Sequence, residues 1–404
     1  MFYINSNKTW IDYMILLVSL ILFSNAVPLS IPASIFYSGV CALLVCFVFF
    51  RENYKAVNID IKLLVLVVIG FFNLVINDVD PVLAAFPRLA LYIVVLMLCS
   101  TFIYNRKLGF LRKKLFFKLM WICVFIVAAS ALFLVLGFVP LHSLNETSGG
   151  FQGITGQSMV LGPIACIALL FCLYNYYSHN EGKWGKLLFL LTSGLCCFVI
   201  VVTGSRSSLG GVLVGLVAFL FIINGNKVTS VLKFGLILIA ISFLTLPLWV
   251  KYAEVLIKKD EMSQMNSNVF YSRSSLWNSR IDEFRAHPLF GLGVGNIDLK
   301  NTTSGFHSET GTIEAGSSWL LILSSSGLVG FGLFVSLFYT HLRQLIISNK
   351  SDPLSALCTS MLLFFMLHMI FEGYIFASGN VLTYLLYLTF SVARYNRHPK
   401  TSLA

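Results

Sequence analysis

Apolar runs of about 20 residues recur along nearly the whole of this 404-residue chain, and that recurrence limits the fold more than any other feature. A run of that length, wound as a helix, covers the roughly 30 Å hydrocarbon core of a bilayer. Membrane barrels alternate apolar and polar residues, whereas these runs are continuous, so they predict helices. Only 11% of the residues are charged and 57% are hydrophobic, against about 25% charged in a soluble domain, and mean hydropathy is +0.85. The expected fold is all-α: a polytopic integral membrane protein. Twelve spans are read at roughly 10–29, 31–50, 61–78, 82–104, 116–139, 158–177, 184–203, 207–224, 229–250, 317–342, 354–373 and 377–395.

A net charge of +11 raises the question of a nucleic-acid partner. The placement of Lys and Arg answers it differently. "RENYK", "NRKLGFLRKK", "HNEGKWGK", "NGNK", "RQLIISNK" and "RYNRHPK" fall on one side of the membrane if the first span leaves from inside. The turn at 140–157 carries neither cation and reads as outside. This is the positive-inside pattern; it predicts two cytoplasmic termini and no nucleic-acid partner. The first apolar run is followed by many others, so it reads as a span rather than a cleaved leader. All nine cysteines lie in apolar runs and read as packing residues rather than a disulfide framework. No zinc-type spacing, Walker-type loop or dinucleotide fingerprint is present, so neither a metal nor a cofactor is expected.

One loop, residues 251–316, is long, polar and on the outer side, inserted between the ninth and tenth spans of what otherwise reads as a single transmembrane domain, 1–404. Loops of this length usually carry function. In "SRSSLWNSRIDEFRAHP", Arg273, Trp277, Arg280 and Phe284 recur on one helical face, and Pro288 marks the stop. The expectation is a small helical lid on the outer membrane surface.

The outer side gathers ionisable residues. Arg206 stands in the turn "TGSRSSLGG", Arg88 in the outer half of the fourth span, and Arg273, Arg280 and Arg285 in the loop. Arginine holds phosphate bidentately and keeps its proton, which suits a lipid-linked diphosphate. The plain alternative is a side chain snorkelling to the headgroups. Ser205 and Ser207, with Gly204, form a turn whose backbone a phosphate can approach. Glu314, Glu309 and His307 lie near the end of the loop, and Glu372 where the eleventh span emerges. A carboxylate or imidazole beside a diphosphate pocket would suit a general base; the alternative is a solvated loop acid. His368 reads as a packing histidine, and Asp78 and Asp80 as a capped turn rather than a metal site.

Four stretches, "GFQGITGQSMVLGPIA", "TGSRSSLGGVLVG", "SRSSLWNSRIDEFRAHPLFGLGVGN" and "SSWLLILSSSGLVGFGLF", together resemble the bacterial O-antigen ligases and lipid-linked-repeat polysaccharide polymerases. The resemblance covers roughly residues 150–340. It implies a metal-independent glycosyltransferase of GT-C-like architecture in the bacterial inner membrane. The implied donor is an undecaprenyl-diphosphate-linked oligosaccharide on the periplasmic face. The acceptor is a second lipid-linked glycan or lipid A-core, and a chain-length regulator is a further implied partner. Arg206 and Arg273 match the family's diphosphate-contacting arginines, with Arg280 as an alternative to the second. Arg88, Ser205, Ser207, Trp277 and Glu372 complete the expected binding surface, and Glu314 or His307 the base. Ligases carry a histidine eleven positions before the Gly-Leu that begins here at Gly327; this chain has Gly316 there. That departure points to the polymerase branch, with the ligase as the alternative. A twelve-span secondary transporter is the reading from another class, but no similarity between the two halves of the chain supports it.

Overall fold

The computed structural model describes residues 58–137, 150–155, 157–178, 182–225, 271–299, 306–307, 312–348 and 352–397, with isolated positions between 227 and 235. The expected spans at 10–29, 31–50 and 229–250, and Glu309, lie outside the described residues.

Each of the other nine expected spans coincides with a helix. They are α1 (Ile61–Ile76), α2 (Ala85–Cys99), α3 (Arg106–Val135), α4 (Ser158–Ser178), α5 (Lys183–Thr203), α6 (Arg206–Ile223), α8 (Ser318–Ser348), α9 (Pro353–Phe371) and α10 (Val381–Arg397). The loop helix, α7, is Tyr271–Ala286. Two short antiparallel strand pairs, β1 (Asn58–Ile59) with β2 (Ile103–Tyr104) and β3 (Phe306–His307) with β4 (Thr312–Ile313), and two 3-10 turns at Pro81–Leu83 and Gly153–Thr155 complete the described elements. Among the described helices, α3, α4, α5, α6, α8 and α9 are long and apolar enough to cross a membrane. The chain is a multi-pass, nearly all-helical membrane protein.

The burial pattern follows from composition. Helix α4 is apolar on every face and lies at the centre, with Leu161 and Ile164–Leu170 buried. Helix α5 is equally apolar but exposes Leu187, Leu188, Leu190 and Leu191, the face a peripheral helix turns to lipid. Small residues let α6 and α9 approach closely. A Cβ on Gly211 would stand 2.9 Å from the Phe364 ring, and one on Gly215 3.3 Å from the Ser360 carbonyl. The two helices therefore run antiparallel. Continuing that register carries Ser205 and Arg206 to the level of Met369 and Ile370, one turn short of Glu372.

At the end away from the loop, cations are matched to oxygens. Arg112 donates to the carbonyls of Met97, Leu98 and Ile103 at 2.6, 2.9 and 2.9 Å, closing the C-terminus of α2. Lys62, inside the first turn of α1, donates to the Ser336 carbonyl and hydroxyl and to the Thr340 hydroxyl of α8 at 3.1, 2.8 and 2.7 Å. A cation within a span needs such partners.

Helices α1 and α2 have 16 and 15 residues, about 24 and 22 Å of helix, short for a full crossing. At its C-terminal end α1 meets the loop. Asn77 Nδ2 donates to the carbonyls of Gly291 and Leu292, each at 3.2 Å, and Asn73 Nδ2 donates to the carbonyl of Phe290. The loop therefore does not rest wholly on the surface as expected. After α7, residues 291–297 are largely buried in the bundle, and Val294 joins the main core.

They enter where α8 breaks. Gly327 adopts φ 64° and ψ −167° inside that helix, a conformation favoured by glycine. The break frees backbone groups, which inside a membrane must find partners. The amides of Leu292 and Gly293 donate to the carbonyls of Ser324 and Ser325, each at 2.9 Å. The amides of Leu328 and Val329 donate to the carbonyls of Pro288 and Leu289 at 2.9 and 3.2 Å. The "PLFGLG" stretch is thus the backbone complement of the broken helix.

Candidate functional site

Two clusters lie at the loop end of the described bundle. The first is the α5–α6 turn. Gly204, at φ 64°, ends α5, and its amide donates to the Val201 carbonyl. Ser205 then caps α6: its Oγ accepts from the Ser208 amide at 3.4 Å and lies 2.8 Å from Ser208 Oγ and 3.3 Å from Ser207 Oγ. Arg206 is the first residue of α6 and is exposed. The stretch before α4 packs under this turn. The Phe151 amide donates to the Val202 carbonyl at 3.4 Å, and a Cβ on Gly150 would stand 2.2 Å from the Thr203 carbonyl oxygen. A Cβ on Gly162 would stand 2.9 Å from Ser208 Oγ and 3.0 Å from the Ser205 Cβ. Two motifs far apart in sequence therefore meet, and the glycines are what let them.

The second cluster joins α7 to the ends of α8 and α9. Arg273 and Trp277, one turn apart on α7, both donate to the Gly316 carbonyl: Arg273 Nη1 at 3.1 Å and Trp277 Nε1 at 3.2 Å. Arg273 Nη2 also bonds Glu372 Oε1 at 2.5 Å. The side chains of this pair keep 17% and 19% of their surface exposed. Glu372 is the C-cap of α9, and its carbonyl accepts from the Ser318 amide at 3.0 Å and the Ser318 hydroxyl at 2.6 Å. The Trp277 and Phe371 rings lie 6.4 Å apart.

Gly316 is fixed in this arrangement by its own geometry. It adopts φ 69°, and an added Cβ would stand 2.8 Å from the Leu276 Cβ and 3.3 Å from Trp277 Cδ1.

The other expected site residues are spread around these clusters. Arg88 is partly buried in α2; a Cβ on Gly295 would touch its Cβ and Cδ at 3.1 Å, so the glycine-rich segment lies against it. Glu314 is exposed, two residues before Gly316. His307 lies in β3, paired with Thr312. His368 is fully buried, stacked on Phe364, with Nδ1 3.3 Å from Tyr374 Oη. Arg285 is exposed and pairs with Asp282 at 3.0 Å.

Arg280 differs from Arg273. It is 1% exposed and pairs with Glu283, itself 3% exposed, at 2.8 Å. Glu283 Oε1 also accepts from the Asp298 amide at 3.2 Å. Burial pushes the Glu283 carboxyl up and the Arg280 guanidinium down from their ordinary values, and each charge partly offsets the shift of the other. The pair fastens α7 to the glycine-rich segment. Sequence reasoning passed over Glu283, although its place three residues after Arg280 is the usual spacing of a helical ion pair. It also passed over Asn73 and Asn77, whose signal was one amide within an almost wholly apolar helix and a second at its C-cap.

Comparison with known proteins adds the family. No curated protein matches the chain. Residues 189–335 match the O-antigen ligase family, a stretch that holds Arg206, Arg273, Gly316 and Gly327 but neither Arg88 nor Glu372. Through this stretch, about a third of its length, the chain is similar to the O-antigen ligases.

Proposed function

We propose that the chain polymerises undecaprenyl-diphosphate-linked oligosaccharide repeat units on the periplasmic face of the bacterial inner membrane, with both termini cytoplasmic. Arg206, with the Ser205 and Ser207 turn, and Arg273 hold the donor's diphosphate and stabilise its charge as it leaves. Arg88 extends the cationic surface and Trp277 offers a ring for the glycan. A hydroxyl of the acceptor sugar attacks the anomeric carbon while an outer-side base takes its proton. None of these steps calls on a metal.

The observation that carries the polymerase reading is Gly316. Its position is that of the ligase histidine, yet its positive φ and the nearness of Leu276 leave no room for a side chain, and its carbonyl is committed to Arg273 and Trp277. The lipopolysaccharide banding of a deletion strain tests the assignment. Core carrying one repeat unit is expected; bare core with accumulated lipid-linked polymer would make the chain a ligase with lipid A-core as acceptor.

A further inference from the structure

We infer that Glu372 is the exchangeable counter-ion of the donor site: the donor's diphosphate displaces it from Arg273, and the freed carboxylate is the general base for the acceptor hydroxyl. The inference rests on the polymerase reading above, or on its ligase variant, and replaces the unspecified base in either.

Three observations carry it. The Arg273–Glu372 pair is direct, at 2.5 Å, and both side chains remain partly open to the outside, so a ligand can reach it. The Arg273 guanidinium is held in place by a second bond, to the Gly316 carbonyl; it therefore stays put when its acid leaves. Glu372 caps the C-terminus of α9, where the helix dipole disfavours a carboxylate. The guanidinium holds it there, and a diphosphate, with a negative charge on each phosphate and bidentate geometry, is the stronger ligand for that guanidinium. A carboxylate released from its cation is also a better base.

The step balances without a co-reactant. The acceptor hydroxyl gives its proton to Glu372, and its oxygen forms the new bond to the anomeric carbon. The bond from that carbon to the diphosphate oxygen breaks, and the electron pair leaves with the polyprenyl diphosphate. As the diphosphate departs it or water takes the proton from Glu372, and the pair with Arg273 re-forms. Donor thus binds before the base is available, which orders the two substrates.

The test uses the full chain in nanodiscs, with farnesyl diphosphate as the binding probe and lipid-linked repeat units for turnover. Glu372→Gln is expected to lose at least about 100-fold in turnover while binding farnesyl diphosphate several-fold more tightly, since Arg273 no longer has to be vacated. Glu372→Asp is expected to keep measurable turnover with a shifted acid limb in its pH profile. Glu372→Gln turning over within threefold of wild type, with Arg206→Ala and Arg273→Ala inactive, would overturn the inference and leave the donor site intact. Loss of both binding and turnover in Glu372→Gln, together with a lowered melting temperature, would also overturn it, making Glu372 a prop. Full activity in Arg206→Ala and Arg273→Ala would instead sink the donor site on which the inference depends.

Discussion

Gly327 in α8 and Leu289 in the loop touch backbone to backbone: a Cβ on Gly327 would stand 2.2 Å from the Leu289 carbonyl oxygen. The contact is where the glycine-rich segment enters the broken helix. Gly327→Ala therefore forces both an unfavourable φ and a backbone displacement. A left-handed non-glycine residue alone costs about 1–3 kcal/mol, and the clash adds to it. Gly327→Ala is expected to lower the melting temperature in detergent by several degrees and to reduce membrane yield, whereas Gly332→Ala, in open space on the same helix, leaves both unchanged.

The buried pair Arg280–Glu283 calls for a double-mutant cycle. Removing one partner strands the other charge in the interior, a loss of about 3–5 kcal/mol, whereas replacing both by apolar residues of similar size is often near neutral. Arg280→Met and Glu283→Leu are each expected to destabilise the protein strongly, and the double variant much less. Additive thermal shifts would show that the two side chains do not act as a unit.

Glu283 also gives stability a pH dependence. Its carboxyl is raised in the fold, chiefly by burial, so the folded state binds more protons than the unfolded one. The corresponding stability is fully present below the ordinary carboxyl range. It is lost as pH rises through the raised folded value and is constant above it. Melting curves across mildly acidic pH are expected to show this decline in the wild type and a flatter profile in Glu283→Gln.

Arg206 should separate charge from geometry. Ser205 caps α6 through its own Oγ, so Arg206→Ala leaves the turn built and protein levels unchanged. The expected result is loss of polymer. Arg206→Lys keeps the charge but not the bidentate fork, and is expected to lose most of it. The chain-length distribution on gels, normalised to membrane protein, decides; a wild-type distribution in Arg206→Ala contradicts the assignment.

Restoring the ligase histidine should not restore a ligase. Gly316→His places a side chain at φ 69° against Leu276 and Trp277, pushing α7 away and with it Arg273. Loss of polymerisation with no gain of glycan on lipid A-core is the expected phenotype in a ligase-deficient strain.

The membrane helices were legible because lipid leaves a chain little choice: an apolar stretch such as 184–203 must satisfy its backbone internally. Arg273 and Arg206 stood out in the sequence as cations beside apolar runs. The break in α8 was not, because "LLILSSSGLVGFGLF" is apolar enough to read as one continuous span. Its serines also satisfy themselves locally, as Ser326 does on the Ile322 carbonyl at 2.6 Å. Nor was the pairing of Arg273 with Glu372, since periodicity links neighbours on a helix and not residues on separate helices. The Arg280–Glu283 pair, by contrast, stands at the ordinary spacing of a helical ion pair; what its sequence hides is burial, since both residues are almost wholly enclosed.

The pairing of residues 288–293 with the break in α8 bears on how such proteins diversify. A loop that merely lay on the membrane would be a cassette, free to be traded between relatives. This one is spliced by hydrogen bonds to α8 and held by Asn73 and Asn77 of α1. Recombination that swaps the loop alone breaks those seams, so new glycan preferences should arise from blocks inherited together with both helices.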